Sequence, residues 1–379
     1  MIPRYKVKEI SDIWSTKNKL NTWLKIELYH LDSLNCSITE KTVSNEELKT
    51  IRSNVKIDID KWKDIERVTK HDVQAFVQML EESIPDNSGR WIHYGLTSSD
   101  IIDTSLTLLC RESLSHIINS TANLIYSIQN IIKKDISNSE ILARTHGKPA
   151  EIQTYKDVFN RWLSQTRRAY DELCIAKNKL CYGKLSGPSG NYTTNSRENE
   201  KIALSNIGLK PVVSSQIISR DIYLDYFYSI LKVILTVEKI SYDIRIYSID
   251  GIDEMSEPFS AGQKGSSSMP HKKNPVSCEN ICGLARLYKS YFNVALDNCL
   301  TLLERDISNS SSERIIFKDS AHIACYTLNK LSNVISNLVI KEENAKRNIN
   351  NNKEDIKSQE RMKSQIKKGN TRKDSHDNS

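Results

Sequence analysis

From position 261 to 275 the chain reads Ala261-Gly-Gln-Lys-Gly-Ser-Ser-Ser-Met-Pro-His-Lys-Lys-Asn-Pro275. Three consecutive hydroxyls, three lysines, a histidine and an asparagine share this one stretch. Gly262 and Gly265 allow unusual backbone angles, and Pro270 and Pro275 forbid helix. Ammonium groups and the backbone N–H groups of a glycine-containing loop attract anions, and a hydroxyl in such a field becomes able to move protons. A segment this polar between two apolar stretches is where function usually sits. A second candidate is Arg144-Thr145-His146-Gly147, because imidazole is the side chain best suited in general to give and take protons near neutral pH. Metal chemistry is not indicated. Cys278 and Cys282 sit four apart on one helix face, but two ligands from one helix make no zinc site, and no Cys/His pair follows at finger spacing. No cofactor is expected.

The elements that must hold these segments are long helices. Apolar residues recur at helical spacing from Ser98 to Lys134, through Ile101, Leu109, Ile117, Leu124 and Ile131. Ser98 or Ser99 is the natural N-cap, with Asp100 and Asp103 suited to the positive end of the dipole. Further helical stretches run from about Gln153 to Lys179, Asp221 to Asp250, Pro275 to Leu303 and Ser311 to Leu338. Helices this long need partners along their whole length, so an all-α, elongated helical bundle is expected. No βαβ alternation and no credible strand ladder is legible. The expected division is an N-terminal helical domain over 1–96, a central long-helix domain over 97–349, and a polar, basic tail over 350–379, solvated and partly disordered, whose only clearly apolar residues are Ile356, Met362 and Ile366.

The 379 residues are 38% apolar, enough for a sizeable core, and carry a formal net charge of +7. That excess is modest and spread out; it fits a solvated surface or a site that attracts anions. No Lys/Arg block with interleaved aromatics occurs, so no nucleic-acid partner is expected. The eight cysteines are scattered and read as free thiols in a reducing compartment. The start, Pro3-Arg4-Tyr5, has no apolar signal core, and no apolar run reaches membrane-spanning length, so a soluble, cytoplasmic protein without a membrane partner is expected.

The loop Gly265-Ser-Ser-Ser-Met-Pro-His-Lys-Lys-Asn-Pro275 closely resembles the signature loop of the fumarase/aspartase superfamily, helical enzymes that release fumarate by β-elimination. Other segments resemble the adenylosuccinate lyase family within it: Arg4-Tyr5, Lys70-His71-Asp72-Val73, Trp91 to Asp100, Arg144 to Gly147, Gln216 with Arg220-Asp221, and Glu304-Arg305-Asp306-Ile307-Ser308 with Ser310, Glu313 and Arg314. The resemblance covers about residues 1 to 349.

Eliminating an amine β to a carboxylate needs a base for a weakly acidic C–H, cationic and N–H donors for the carboxylate, and an acid for the leaving nitrogen. The resemblance implies that Ser266 is the base and His146 the acid. It implies that Lys272 and Asn274 hold the succinyl carboxylates. Arg4, Tyr5, Lys70, His71, Asp72, His93, Thr97, Ser98, Thr145, Gln216, Glu279, Arg305, Ser310 and Arg314 complete the substrate-binding set for a small nucleotide. It further implies a homotetramer whose sites draw on more than one subunit.

Plainer readings stand beside these. His146 could only cap or hydrogen-bond; His71 could pair with Asp72 or a nearby backbone group; His93 could be packed; Thr97 and Ser98 could be an N-cap; Arg305 and Arg314 could be surface ion-pair partners; His271 could be loop packing. Lys70 stands where many relatives carry Arg, Pro149 replaces a histidine of some relatives, and Leu303 stands where many have His. Family members continue after the Asn348 region into a further helical domain, of which Lys357-Ser358-Gln359-Glu360-Arg361 is a degraded echo; that domain reads as truncated. The alternatives are another fumarate-releasing lyase, such as argininosuccinate lyase or a carboxymuconate cycloisomerase relative, and an impaired family member that serves only as a helical oligomer.

Overall fold

The apolar stripes of the sequence become helices in the computed structural model, which describes residues 1–37, 42–260 and 262–378. Ala261, the first residue of the polar loop, lies outside them. We label the helices that carry the site α1 (Thr16–Cys36), α2 (Ile59–Thr69), α3 (Asp72–Glu81), α4 (Ser98–Ile132), α5 (Tyr155–Lys179), α6 (Asp221–Tyr247), α7 (Val276–Asp297) and α8 (Ser308–Ser336). All five long stretches expected from periodicity are present. Their ends shift by a few residues, most for α7, which stops at Asp297 rather than near Leu303. The start of α4 also differs from expectation. The helix begins at Ser98, and the Asp100 carboxylate accepts the N–H of Thr97 at 2.8 Å, so a side chain inside the first turn closes the end.

Ile101, Leu109, Leu114, Ile117, Leu124, Ile128 and Ile131 of α4 are buried, a stripe at helical period. Each such side chain contributes roughly 1.5–3 kcal/mol when fully buried.

The chain divides into two compact units. The first comprises Met1–Asn119, Asp171–Lys232 and Leu287–Tyr326; the second comprises Ser120–Tyr170, Val233–Arg286 and Thr327–Ser379. The first unit is built on a core that includes Leu20, Trp23, Ile26, Phe76, Met79, Leu80, Ile101, Leu185 and Leu204. In the second, Tyr155, Phe159, Trp162, Val237, Ile240, Ile244 and Met255 are buried, and the three aromatics of α5 sit in a row with ring centroids 6.3 and 5.2 Å apart.

Strand pairing is present, contrary to expectation. In the second unit β1 (Glu140–Thr145) and β2 (Lys148–Thr154) form an antiparallel hairpin. Two-residue pairings join Tyr182–Gly183 to Lys210–Pro211 and Met255–Ser256 to Val339–Ile340. The hairpin was illegible because its register slips between Ala143 and Arg144 and because Gly147 and Pro149 interrupt the alternation. A two-residue strand has no period to read. After residue 350 the chain forms three short helices, Lys353–Ile356, Ser358–Lys367 and Arg372–Asp377, whose side chains are mostly exposed because so polar a segment has no face to bury.

Candidate active site

The site residues fall into two groups, one in each unit. In the first unit the organising group is the N-terminal turn of α4. Asp103 accepts the Ile218 N–H at 2.7 Å and two guanidinium N–H groups of Arg220 at 2.7 and 3.0 Å. The same guanidinium donates to Glu313 at 3.0 and 3.2 Å. Arg220 is buried, so the Asp103–Arg220–Glu313 chain ties the loop carrying Gln216 and the first turns of α8 to α4. Burial works against its charge, and the carboxylates of Asp103 and Glu313 outweigh it, so the Arg220 pKa is raised. Ser215 donates to the Glu304 carbonyl at 2.8 Å and Arg305 donates to the Asp306 carbonyl and Asn309 at 3.0 and 3.1 Å, which fixes the adjoining strand of loop.

Beneath Thr97 and Ser98, the fully buried Asp100 is paired with the fully buried Lys184, whose ammonium also donates to the Gly187 carbonyl at 3.3 Å. A buried pair of this kind is costly to break and so holds one geometry. Thr97, Ser98, Gln216, Arg305 and Ser310 are all half-buried around this framework.

Asp72 opens α3. Its Oδ1 accepts the Val73 N–H at 2.9 Å, and its Oδ2 lies 3.8 Å from Arg314 and 3.9 Å from Lys19. His71 is the N-cap of the same helix: Nδ1 accepts the Gln74 N–H at 3.2 Å, leaving Nε2 as the protonated nitrogen of the neutral ring. The plainer reading of His71 as a backbone partner therefore holds for one ring nitrogen and leaves the other available. Lys70 is exposed with φ 55°, in the left-handed region where α2 stops. His93, also left-handed at φ 63°, is clamped by the buried Glu27, which accepts from its backbone N–H at 2.9 Å and its Nδ1 at 2.6 Å. Burial disfavours the imidazolium, but the Glu27 charge and hydrogen bond outweigh it and raise the His93 pKa.

A cleft of about 410 Å³ lies against this group, lined by Trp14, Lys19, Trp62, Asp72, Ser310 and Arg314 among others. Arg4 and Tyr5 are not part of it. Tyr5 meets the Tyr326 ring edge-on at 5.1 Å, and Tyr326 lies three turns along α8 from Arg314, about 18 Å of helix.

The second unit carries the acid–base candidates. Thr145 pairs with Lys148, so His146 and Gly147 form the two-residue hairpin turn, with φ 53° and 78°. Positive φ at both positions is the type I′ geometry that right-twisted strands prefer. His146 and Thr145 are exposed at this tip. Its stem is anchored: Arg144 donates to the buried Glu254 at 2.9 and 2.7 Å, Asn348 donates to the same carboxylate at 2.8 Å, and Tyr155 donates to the Glu254 carbonyl at 2.8 Å.

In the polar loop, Ser266 Oγ accepts the N–H of Met269 at 3.1 Å and of Ser268 at 3.4 Å. Two N–H dipoles aimed at one hydroxyl oxygen favour its deprotonated form. Asn274 donates to the Gly265 carbonyl at 3.0 Å, closing the loop at its neck. A Cβ at Gly265 would stand 2.1 Å from the Lys272 carbonyl oxygen, so only glycine lets the two strands of loop cross here. The buried Glu257 accepts the N–H groups of Ser277 and Cys278 at 3.0 and 3.1 Å and so caps α7, which begins where the loop ends. Ser266 and Asn274 are half-buried, while Lys272, His271 and Glu279 are exposed. Among the described residues no hydrogen bond joins His146 to Ser266.

Reasoning from sequence missed Lys19, Glu27, Lys184, Glu254 and Glu257. Their partners lie far away along the chain, and no local spacing announces them. Asp103 was legible only as a helix-dipole residue, whereas its carboxylate is the hub of a network. Cys278 and Cys282, expected as buried free thiols, are both free and buried.

A protein-family profile described as Lyase matches residues 4–287. An adenylosuccinate lyase of Thermotoga maritima is 36% identical over 387 residues, covering 100% of this chain and 86% of the relative. One of Bacillus subtilis is 34% identical with the same coverages, and one of Aquifex aeolicus is 37% identical over 92% of this chain and 80% of its own length. Among solved structures, a fumarate lyase from Mesorhizobium sp. BNC1 superposes with a TM-score of 0.87 at 18% identity, covering 100% of this chain and 86% of that one. A β-carboxy-cis,cis-muconate cycloisomerase from Acinetobacter calcoaceticus gives 0.82 at 18%, covering 98% and 84%. At that identity the structures speak for the fold, and the sequence relatives speak for the family. This chain belongs to the adenylosuccinate lyase family of the fumarase/aspartase superfamily.

Proposed function

We propose that the protein is an adenylosuccinate lyase, a carbon–nitrogen lyase that eliminates fumarate from adenylosuccinate to give AMP and from SAICAR to give AICAR. The observation that carries this reading is the pair of N–H groups aimed at Ser266 Oγ inside the Gly265–Pro275 loop. A deprotonated Ser266 takes a proton from the carbon β to the leaving nitrogen. The electron pair of that C–H bond forms the C=C bond of fumarate, the C–N bond breaks, and His146 delivers a proton to the departing nitrogen. Lys272 and the second N–H of Asn274 hold the succinyl carboxylates, whose charge grows in the transition state. Thr145 and Glu279 border this end. Thr97, Ser98, Gln216, His71, Asp72, His93 and Arg305 orient the nucleoside, and Arg4, Tyr5, Lys70, Ser310 and Arg314 take the phosphate.

The protein works as a homotetramer in the cytoplasm, with each site shared between subunits. Tyr228, Leu235 and Tyr242 of α6 are 45%, 42% and 38% exposed and lie seven residues apart, the spacing of a helix–helix seam that another chain would cover. The same arrangement supplies what one protomer lacks, since Arg4 and Tyr5 stand far along α8 from Arg314. Sedimentation of a stable, fully active monomer would refute it. The activity itself is tested by fumarate release from adenylosuccinate, with argininosuccinate as the competing substrate. Turnover of argininosuccinate alone, or of neither, would overturn the proposal.

A further inference from the structure

Lys19 projects from the first turns of α1 into the cleft of the first unit. Its Nζ lies 4.7 Å from the Trp23 ring centroid and 4.9 Å from that of Trp62. Both indoles are buried and fixed: Trp23 donates to Ser105 Oγ at 3.0 Å and Trp62 to the Asp72 carbonyl at 2.9 Å. The two rings thus form a rigid seat that favours a cation.

The seat leaves the ammonium with only a long ion pair to an oxygen. The nearest carboxylate, Asp72, is 3.9 Å away, beyond hydrogen-bond distance, and already serves the Val73 N–H and stands 3.8 Å from Arg314. Among the described residues no hydrogen bond joins Lys19 to an acceptor, and its side chain is one-third exposed, so its N–H donors are open to solvent or to an incoming acceptor. Burial lowers its pKa, Asp72 counters this, and the charge of Arg314 adds to the lowering; an incoming anion would relieve both costs. The charges around the cleft agree. Lys19, Arg314 and Lys318 face Glu66 and Asp72, while Glu313 is engaged by Arg220. Three cationic side chains thus line the cleft together with the Ser310 hydroxyl.

We infer that Lys19 is a direct ligand of the substrate's phosphate monoester, acting with Arg314 and Ser310 across the cleft, and that Asp72 holds the two cations in place until the phosphate displaces it. The inference rests on the nucleotide reading of this site, and it adds to the proposed phosphate donors a cation more firmly seated than the exposed Lys70.

The test uses the full chain. Lys19→Met keeps a long side chain between the indoles and removes the donors; Lys19→Arg retains charge. AMP binding should weaken about tenfold or more in Lys19→Met, the size of one charge-assisted hydrogen bond, and recover largely in Lys19→Arg. Adenosine binding should not change, and inorganic phosphate should compete with AMP in the wild type but not in Lys19→Met. Should Lys19→Met fold poorly, mass spectrometry of the wild type after amine acylation gives the same answer: AMP and inorganic phosphate should protect Lys19, and adenosine should not. Equal losses for AMP and adenosine, or AMP affinity unaltered by Lys19→Met, or equal acylation with and without AMP, would overturn the inference. The two readings fail separately. A wild type that releases no fumarate but binds AMP through Lys19 defeats the activity and keeps the ligand. A wild type that turns over adenylosuccinate with the same kcat/KM as Lys19→Met does the reverse.

Discussion

The two groups of site residues are built on opposite principles. In the first unit the group around α4 is a closed electrostatic framework. Asp100 with Lys184, and Asp103 with Arg220, are buried, Glu313 is partly buried, and all are satisfied by one another. In the second unit the acid–base candidates stand on backbone features instead: a type I′ turn displays His146, and a glycine crossing at Gly265 shapes the loop around Ser266. There the ion pairing is one level back, at Arg144–Glu254, and the candidate side chains themselves are exposed or half-buried. On the proposed assignment, the binding surface that must be rigid before substrate arrives is made of paired charges. Under the proposed roles, the groups that change protonation during a cycle are kept out of such pairs, because a permanent partner would lock one protonation state.

The comparison breaks most sharply at the chemistry. Ser266→Ala and His146→Gln should each lower turnover by about a hundredfold or more, with substrate binding largely retained. Stopped-flow or steady-state fumarate release measures this, and near-normal turnover of Ser266→Ala would sink the mechanism. If the two residues reach one site from different subunits, mixing the two inactive variants should restore activity once subunit exchange is verified.

The framework should fail through stability rather than turnover. Arg220→Met leaves the buried Asp103 and the partly buried Glu313 without their cation, which costs about 3–5 kcal/mol. Chemical denaturation should report a loss of that order, whereas Lys272→Met, in the exposed loop, should leave the unfolding midpoint close to wild type while abolishing most activity. A stability loss in Lys272→Met equal to that in Arg220→Met would erase the distinction drawn between the two regions.

Arg314→Ala should weaken nucleotide binding by about 1.5–3 kcal/mol, the worth of a hydrogen bond to a charged group. The loss should be much smaller for an analogue lacking the phosphate. Equal losses would make this arginine structural, the ion-pair partner of Asp72 alone.

The smallest effect concerns pH. Glu27 raises the pKa of His93 above its ordinary value, so the pair adds stability that is fully present below the unfolded pKa near 6.5 and is lost as pH rises through the folded one. The Tm advantage of the wild type over Glu27→Gln should therefore shrink as pH is raised from mildly acidic to alkaline. An advantage that grows over that range would mean the histidine is not charged by Glu27.

Much of this protein was written locally. Ile101, Leu109, Ile117, Leu124 and Ile131 repeat at helical period, and burial of such a stripe is decided by spacing alone, so the long helices were legible. The Gly265–Pro275 loop was legible because glycine, proline and polar residues resist helix at any location. Tertiary structure alone decided what those segments do to one another. The hairpin that lifts His146 depends on pairing with a slipped register. Asp103 becomes a hub only when Arg220, more than a hundred residues away, folds against it. Lys19 reads as one more surface lysine of an amphipathic helix until Trp23 and Trp62 close on either side of it. Propensity and period act over a few residues, whereas burial, ion pairing and the seating of a cation depend on neighbours that the chain brings together only by folding.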